Sequence, residues 1–293
     1  MSRFATIGKV FSEHRYQLML TYILSGLELL GTLLRPYFLG EAVNDLLKGS
    51  YHGLIILSIQ HLIWLLIGTF RHMYDTRTYT GIYVHLVTRM LSRKVVQSDV
   101  SKLSAHSTLA REFVDFLEYD LYYVLAAIVD IFGALILLLF YDKTVVLICL
   151  AVLVPVMIMS FIFGKKMESL NLGKNDELEK QVGIIGSNEP SKITEHYRNL
   201  RRWQVKISDQ EAWNFGAMEI LVLIVIAFSL IVTTKPTATP MLAGDILGIY
   251  NYILKFTTGL DTIPYTIQRL SSLKDITRRI ALEEKEDEED DDE

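Results

Sequence analysis

Long apolar runs, separated by basic stretches of helical character, fill most of this chain. Six of them read as membrane spans: 16–39, 53–70, 121–140, 144–163, 215–232 and 242–264. About 20 apolar residues in a helix cover the ~30 Å of a bilayer's hydrocarbon, and one soluble core does not need so many. The sixth run is interrupted by Asp245, Lys255 and Asp261. A polar span faces protein or water rather than lipid, so this run is the candidate pore-lining helix, or else not a span.

The connections differ in kind. Tyr141, Asp142 and Lys143 alone join runs three and four, and so short a loop predicts an antiparallel hairpin. About fifty residues separate runs two and three, and about fifty more separate runs four and five, almost without Gly-Pro-Ser linker character. Residues 71–98 and 165–180 read as charged helices, so spans two to five are expected to continue beyond the membrane. Near the start, Phe4, Ile7, Val10 and Phe11 form an apolar stripe beside Arg3 and Lys9. That pattern suits a short helix in the membrane interface. Three segments are therefore expected: an elbow over 1–15, a helical membrane domain over 16–282 and an acidic, disordered tail over 283–293.

Charge sets the orientation. The tail carries ten acids and one lysine, so the remainder of this 293-residue chain is net +4 although the whole is −5. The short loops near Lys48, Lys143 and Lys235 hold one basic residue each, whereas Arg71, Arg77, Arg89, Arg93, Lys165, Lys166, Arg198, Arg201 and Arg202 fall in the long connections. Positive residues accumulate on the cytoplasmic side, which predicts cytoplasmic termini and cytoplasmic long connections. The same bias accounts for the basic stretch around Trp203, so no nucleic-acid partner is expected. The single cysteine, Cys149, lies in an apolar run and reads as a small packed hydrophobe. No cleavable signal peptide is evident.

Several stretches then carry a resemblance. Pro36, Gly40 and Asp45 follow a Pro-x-x-x-Gly-x-x-x-x-Asp pattern late in the first run. Residues 98–108 with Arg111 form a polar turn, and Ser187, Asn188, Glu189 and Pro190 another, followed by the basic stretch 197–203. Together with six runs and two long excursions, these resemble the transmembrane domain of ABC exporters, in the stand-alone form of bacteria. The resemblance implies an all-α membrane protein with six transmembrane helices and long cytoplasmic extensions. It implies residence in the bacterial inner membrane, a pathway between two protomers that alternates its access, and short coupling helices over 100–107 and 187–196 that dock on ATPase subunits. Asp99, Ser104, His106, Asn188 and Glu189 are the coupling candidates. Independently of any family, Pro190 after Ser187 and Asn188 marks a helix start, because proline is tolerated in a first turn.

A phosphate-binding loop requires Gly-x-x-x-x-Gly-Lys-Ser/Thr, whose backbone amides cradle the phosphates. Gly8-Lys9, Gly164-Lys165 and Gly173-Lys174 all lack that context. The chain is therefore expected not to be an enzyme. It is expected to hold no cofactor or metal of its own and to meet ATP only through a separate ATPase subunit.

Five acids fall at or near membrane depth, Glu28, Asp130, Glu219, Asp245 and Asp261, with Lys255 on the last run. Lone charges facing lipid cost several kcal/mol, roughly, so these are expected to face a cavity or a partner. Glu28, Asp130, Glu219, Asp245 and Lys255 are the cavity candidates. One reading has Glu28 and Glu219 binding a cation or protons. The other has these acids line a wet vestibule or pair with Lys and Arg. Lys255 and Asp245 stand ten residues, roughly 15 Å, apart on a helix, so Lys255 is expected to meet an acid elsewhere. His61 and His72 read as polar interhelical contacts, and Tyr119, Tyr122 and Tyr123 as span-end packing.

Three functions remain open at this point. The first is an ABC-type membrane subunit, a homodimer by default, working with a separate ATPase. The second is a proton-driven transporter without an ATPase. The third is a membrane scaffold that moves nothing.

Overall fold

A computed structural model of the protein describes residues 12–92, 110–234, 241–263 and 266. Among these residues all regular structure is helical and no strand forms. The helices are α1 (Arg15–Leu47), α2 (His52–Ser92), α3 (Ala110–Tyr141), α4 (Lys143–Glu179), α5 (Gln181–Gly186), α6 (Pro190–Thr233) and α7 (243–263). Five of them, α1, α2, α3, α4–α5 and α6, are long and apolar enough to cross a membrane. The sixth run of the sequence is the helix α7, with its charges. Residues 1–11 of the elbow, the tail and residues 93–109, which hold Asp99, Ser104 and His106, lie outside the described residues.

Two compact units emerge. The first contains α1, α2, α3 and α7. Contacts between residues 28 and 71 and between 14 and 85 make α1 and α2 antiparallel. Their turn is closed by Asp45. Its backbone carbonyl accepts from Lys48 and Ser50, and its carboxylate accepts from the amide of Gly53 at 2.9 Å. Gly49 supplies the left-handed residue of the turn, at φ 78°. One end of the unit is tied by Leu18, Tyr79, Ile82, Phe113, Val114, Phe116 and Leu117, all buried together.

Helix α7 is held by its apolar face. Ile249, Tyr252, Ile253, Phe256 and Leu260 recur at helical spacing and are fully buried. Close approach is possible because Gly244 meets Gly40 of α1: a Cβ on Gly40 would lie 2.6 Å from the Gly244 carbonyl oxygen. Gly248 likewise gives way to the Tyr141 ring of α3. The small-residue pair of α7 is thus used inside the chain. The Pro36-Gly40-Asp45 pattern acquires a physical meaning, with Gly40 receiving α7 and Asp45 capping the turn to α2.

Helix α3 contains two π-helical turns, Phe116–Asp120 and Val129–Gly133. Such turns insert a residue and re-aim side chains, often where function needs it. Helix α4 starts directly after Asp142, whose carboxylate accepts from the Thr144 amide at 2.7 Å.

The second unit is α4, α5 and α6. Pairs such as Gly173 with Trp203 and Glu177 with His196 run in opposite directions, so α4 and α6 form an antiparallel hairpin. Met167, Leu170 and Ile207 form its core with Phe163 and Trp203 against them. Helices α2, α4 and α6 have 41, 37 and 44 residues. At 1.5 Å per residue they run to about 55–66 Å, well beyond the ~30 Å of hydrocarbon. Apolar side chains stand open on these helices, Leu66 at 70% exposure and Leu223 at 66%. Such faces need lipid or a partner to cover them.

The tight crossing of α1 and α7 yields a prediction. Gly40→Val is expected to lower the thermal unfolding midpoint of the detergent-solubilised protein, at a cost of about 1–3 kcal/mol for overpacking. Gly26→Ala, where an added Cβ meets nothing within 4 Å, is expected to leave it unchanged or slightly raised. Equal midpoints for Gly40→Val and the parent would refute the crossing.

Candidate functional site

The first unit carries a linked set of polar groups in otherwise apolar helices. Arg71 of α2 donates through Nε to Glu28 of α1 and through Nη1 to Asp75, one turn on, at 2.7 Å. Gly68 leaves the notch through which the Glu28 carboxylate reaches it. The guanidinium also lies over the Tyr122 ring of α3, 4.6 Å from its centre. All three charged side chains are largely buried. One cation therefore serves two carboxylates and a π-face, and three helices meet on it. Of the aromatic run 119–123, Tyr122 is the member drawn into this network.

Lys255 of α7 donates to Asp130 of α3 at 3.0 Å. Asp130 sits in the second π-helical turn, and on the neighbouring turns α3 presents Ile131 and Ala127 to Gly259 of α7. As the spacing argument required, Lys255 meets an acid on another helix rather than Asp245. Asp245 has a structural task instead. Its carboxylate accepts from the Leu242 amide at 3.3 Å at the start of α7, and from Asn44 Nδ2 at 3.1 Å. That is the reach-back half of a capping box, joined to α1 through Asn44, which also accepts from the Gly244 amide.

Farther along α1, Arg35 contacts His61 at 2.7 Å and stacks 4.6 Å over Trp64. His61 is thus the polar interhelical contact that the sequence suggests. Glu219 belongs to the second unit, exposed on α6, and forms no ion pair among the described residues. The structure therefore engages Glu28 with an arginine and places Glu219 in the other unit.

The second unit has its polar cluster near the hairpin tip. His196 Nδ1 meets Glu177 Oε1 at 2.9 Å in a buried contact, and Lys180 adds to Glu177 at 3.3 Å. Beyond it the chain makes the short helix α5 and a turn, with Asn188 at φ 53°. Glu189 then takes the extended N-cap position with Pro190 as first helical residue, and its carboxylate accepts from Lys192 at 2.7 Å. The short helix expected over 187–196 is displaced. The separate helix covers 181–186, while 190–196 are the first turns of α6, because Asn188 and Pro190 put the break before residue 190. On those turns Pro190, Ser191, Thr194, Glu195, Arg198, Asn199 and Arg202 line an open hollow of about 530 Å³.

With this geometry in place, one comparison decides the family. Residues 7–240 match the family described as ABC transporter transmembrane region. The chain belongs to that family. No curated protein matches the chain. The match covers α1 to α6 and stops just before α7, so the assignment rests on both units but not on the charged last helix. As an ABC transporter transmembrane region, the chain is an integral membrane component of a transporter. Its membrane-depth acids are then read as groups held within a helical assembly.

Sequence reasoning missed Asp75, His196 and Glu177 as partners, and used Arg71 only as an orientation charge. The i, i+4 spacing of Arg71 and Asp75 is a visible signal. The pairings of Arg71 with Glu28 and of Glu177 with His196 depend on antiparallel register and have no local mark.

Arg71→Met is expected to destabilise the protein by about 3–5 kcal/mol, because it leaves two largely buried carboxylates without their cation. Adding Glu28→Gln and Asp75→Asn to that variant is expected to restore most of the loss. Thermal unfolding of the parent, Arg71→Met and the triple variant in one detergent checks this. A triple variant no better than Arg71→Met would contradict the charge-balance account.

Proposed function

We propose that this chain is the membrane-spanning subunit of an ABC-type transporter that encloses its substrate pathway as a dimer. Six helices, α7 included, cross the bacterial inner membrane, and ATP is hydrolysed by nucleotide-binding domains outside these 293 residues, expected as a separate ATPase subunit. The observation that carries this reading is the α4–α6 hairpin, whose helices are longer than the ~30 Å of hydrocarbon is thick and which ends in a short helix, a turn and a polar hollow. Residues 163–180 extend about 25 Å past the fourth apolar run, and the basic residues of this region suit the cytoplasmic side. A projecting helical tip is a suitable lever. Force applied at α5 and the 187–189 turn passes down two packed helices to the membrane.

Membership of the ABC family supports the transport role, and the sequence supplies no phosphate-binding loop within these residues. The open apolar faces of α2 and α6 suit lipid or the second protomer. A proton-driven transporter without an ATPase draws on a different observation, the two carboxylates sharing one guanidinium at Arg71.

One preparation tests both readings. The full-length protein, purified from its own host in mild detergent, is expected to carry an ATPase subunit identifiable by mass spectrometry. Arg198→Glu combined with Arg202→Glu at the hollow is expected to reduce that association at least tenfold while the protein stays folded. If no ATPase co-purifies and transport in liposomes collapses with an uncoupler, the proton-driven reading replaces the first.

A further inference from the structure

The start of α1 and the far part of α2 bring together a donor set that neither the transport reading nor the family uses. Glu13, His14 and His85 each offer one ligand atom, and these three atoms lie within 4.8 Å of one another. His14 Nε2 and His85 Nδ1 are 3.0 Å apart. That is close to the ligand–ligand spacing of a tetrahedral ion with metal–nitrogen bonds of about 2.0–2.1 Å. The other nitrogen of His14, Nδ1, lies 2.8 Å from the Gln17 side-chain oxygen. An amide oxygen only accepts, so Nδ1 carries the hydrogen and Nε2 presents its lone pair towards His85. A histidine whose remote N–H is anchored to an oxygen is the usual arrangement around a metal.

The fold fixes this placement. Leu18, one turn after His14, is buried against Tyr79 and Ile82, and Ile82 lies three residues before His85. His14 is also the N-cap of α1, its carbonyl accepting from the Leu18 amide at 3.0 Å. The His pair therefore stands at the rim of the packed cluster, while Glu13 and His85 are exposed to incoming ions.

We propose that Glu13, His14 and His85 form a binding site for a borderline-soft divalent cation, with Zn²⁺ the best match to the donors. Two imidazoles and one carboxylate are a zinc donor set, with water completing the fourth position at an open site. In the metal-free form one ring donates to the other. On binding, the His85 proton resides on Nε2, Nδ1 turns its lone pair to the metal, and the exposed Glu13 carboxylate swings in. The ion then braces the first turn of α1 to α2, at the end of the unit where the N-terminal segment enters.

The test uses the full-length chain in detergent, purified without a histidine tag, stripped with EDTA and titrated with Zn²⁺. One zinc per chain is expected by calorimetry and metal analysis, with a higher thermal midpoint in the loaded form. His85→Ala and His14→Ala are expected to lose stoichiometric uptake and the thermal shift. Gln17→Leu is expected to keep the stoichiometry and weaken affinity about 10–100-fold, as for other anchoring partners. His72→Ala, elsewhere on α2, is expected to bind as the parent does. Co²⁺ in place of zinc is expected to give the visible absorption of a tetrahedral nitrogen–oxygen site in the parent protein, a readout that needs no variant. A parent protein that takes up no zinc, or His14→Ala and His85→Ala variants that bind it unchanged, would overturn the proposal.

Discussion

The guanidinium of Arg71 organises the first unit, because buried charge is tolerable only when it is matched and hydrogen-bonded. Glu28 on α1, Asp75 on α2 and the ring of Tyr122 on α3 all converge on it. Once that contact is fixed, the antiparallel register of α1 and α2 is fixed with it. Trp64 then falls against Gly31, Arg35 meets His61, and Leu18 meets Ile82. Sliding α1 by one turn would strand three charges together. Apolar side chains alone would tolerate such a slide far better, since they gain from burial without direction.

The last helix repeats the same logic with other residues. Helix α7 is too charged to face lipid along its whole surface, and two of its charges are assigned: Asp245 to its own N-terminus and to Asn44, Lys255 to Asp130. Its buried apolar stripe, Ile249, Tyr252, Ile253, Phe256 and Leu260, continues along the side of the helix that begins at Asp245. The π-helical turn around Asp130 places that carboxylate where Lys255 can reach it. Polar groups in this membrane domain thus act first as register marks. The second unit uses Glu177 and His196 in the same way at the tip of the α4–α6 hairpin.

Much of the fold was legible in the sequence, and the reasons are physical. Apolar runs of bilayer length mark α1, α2, α3, α4 and α6 directly. The Pro190 helix start was readable because a proline at the first helical position has few alternatives. The one-residue link at Asp142 was readable from the shortness of the connection. Lys255 could be steered away from Asp245 by helix geometry alone. What stayed hidden depends on pairing at long range: Arg71 with Glu28, Asp130 with Lys255, and the His14–His85 contact require a register that no local pattern encodes. The helix expected over 187–196 is instead divided between a turn and the start of α6, because the left-handed Asn188 breaks the chain just before Pro190.

The proposed lever requires the bilayer to separate the α1–α2 turn from the tip of the α4–α6 hairpin. Site-directed labelling in intact cells and inverted vesicles tests it most directly. In a Cys149→Ser background, Lys48→Cys and Ser187→Cys each place one thiol at an exposed position. A membrane-impermeant maleimide is expected to modify Lys48→Cys from the outer side only and Ser187→Cys from the cytoplasmic side only. Modification of both from the same side would contradict the account.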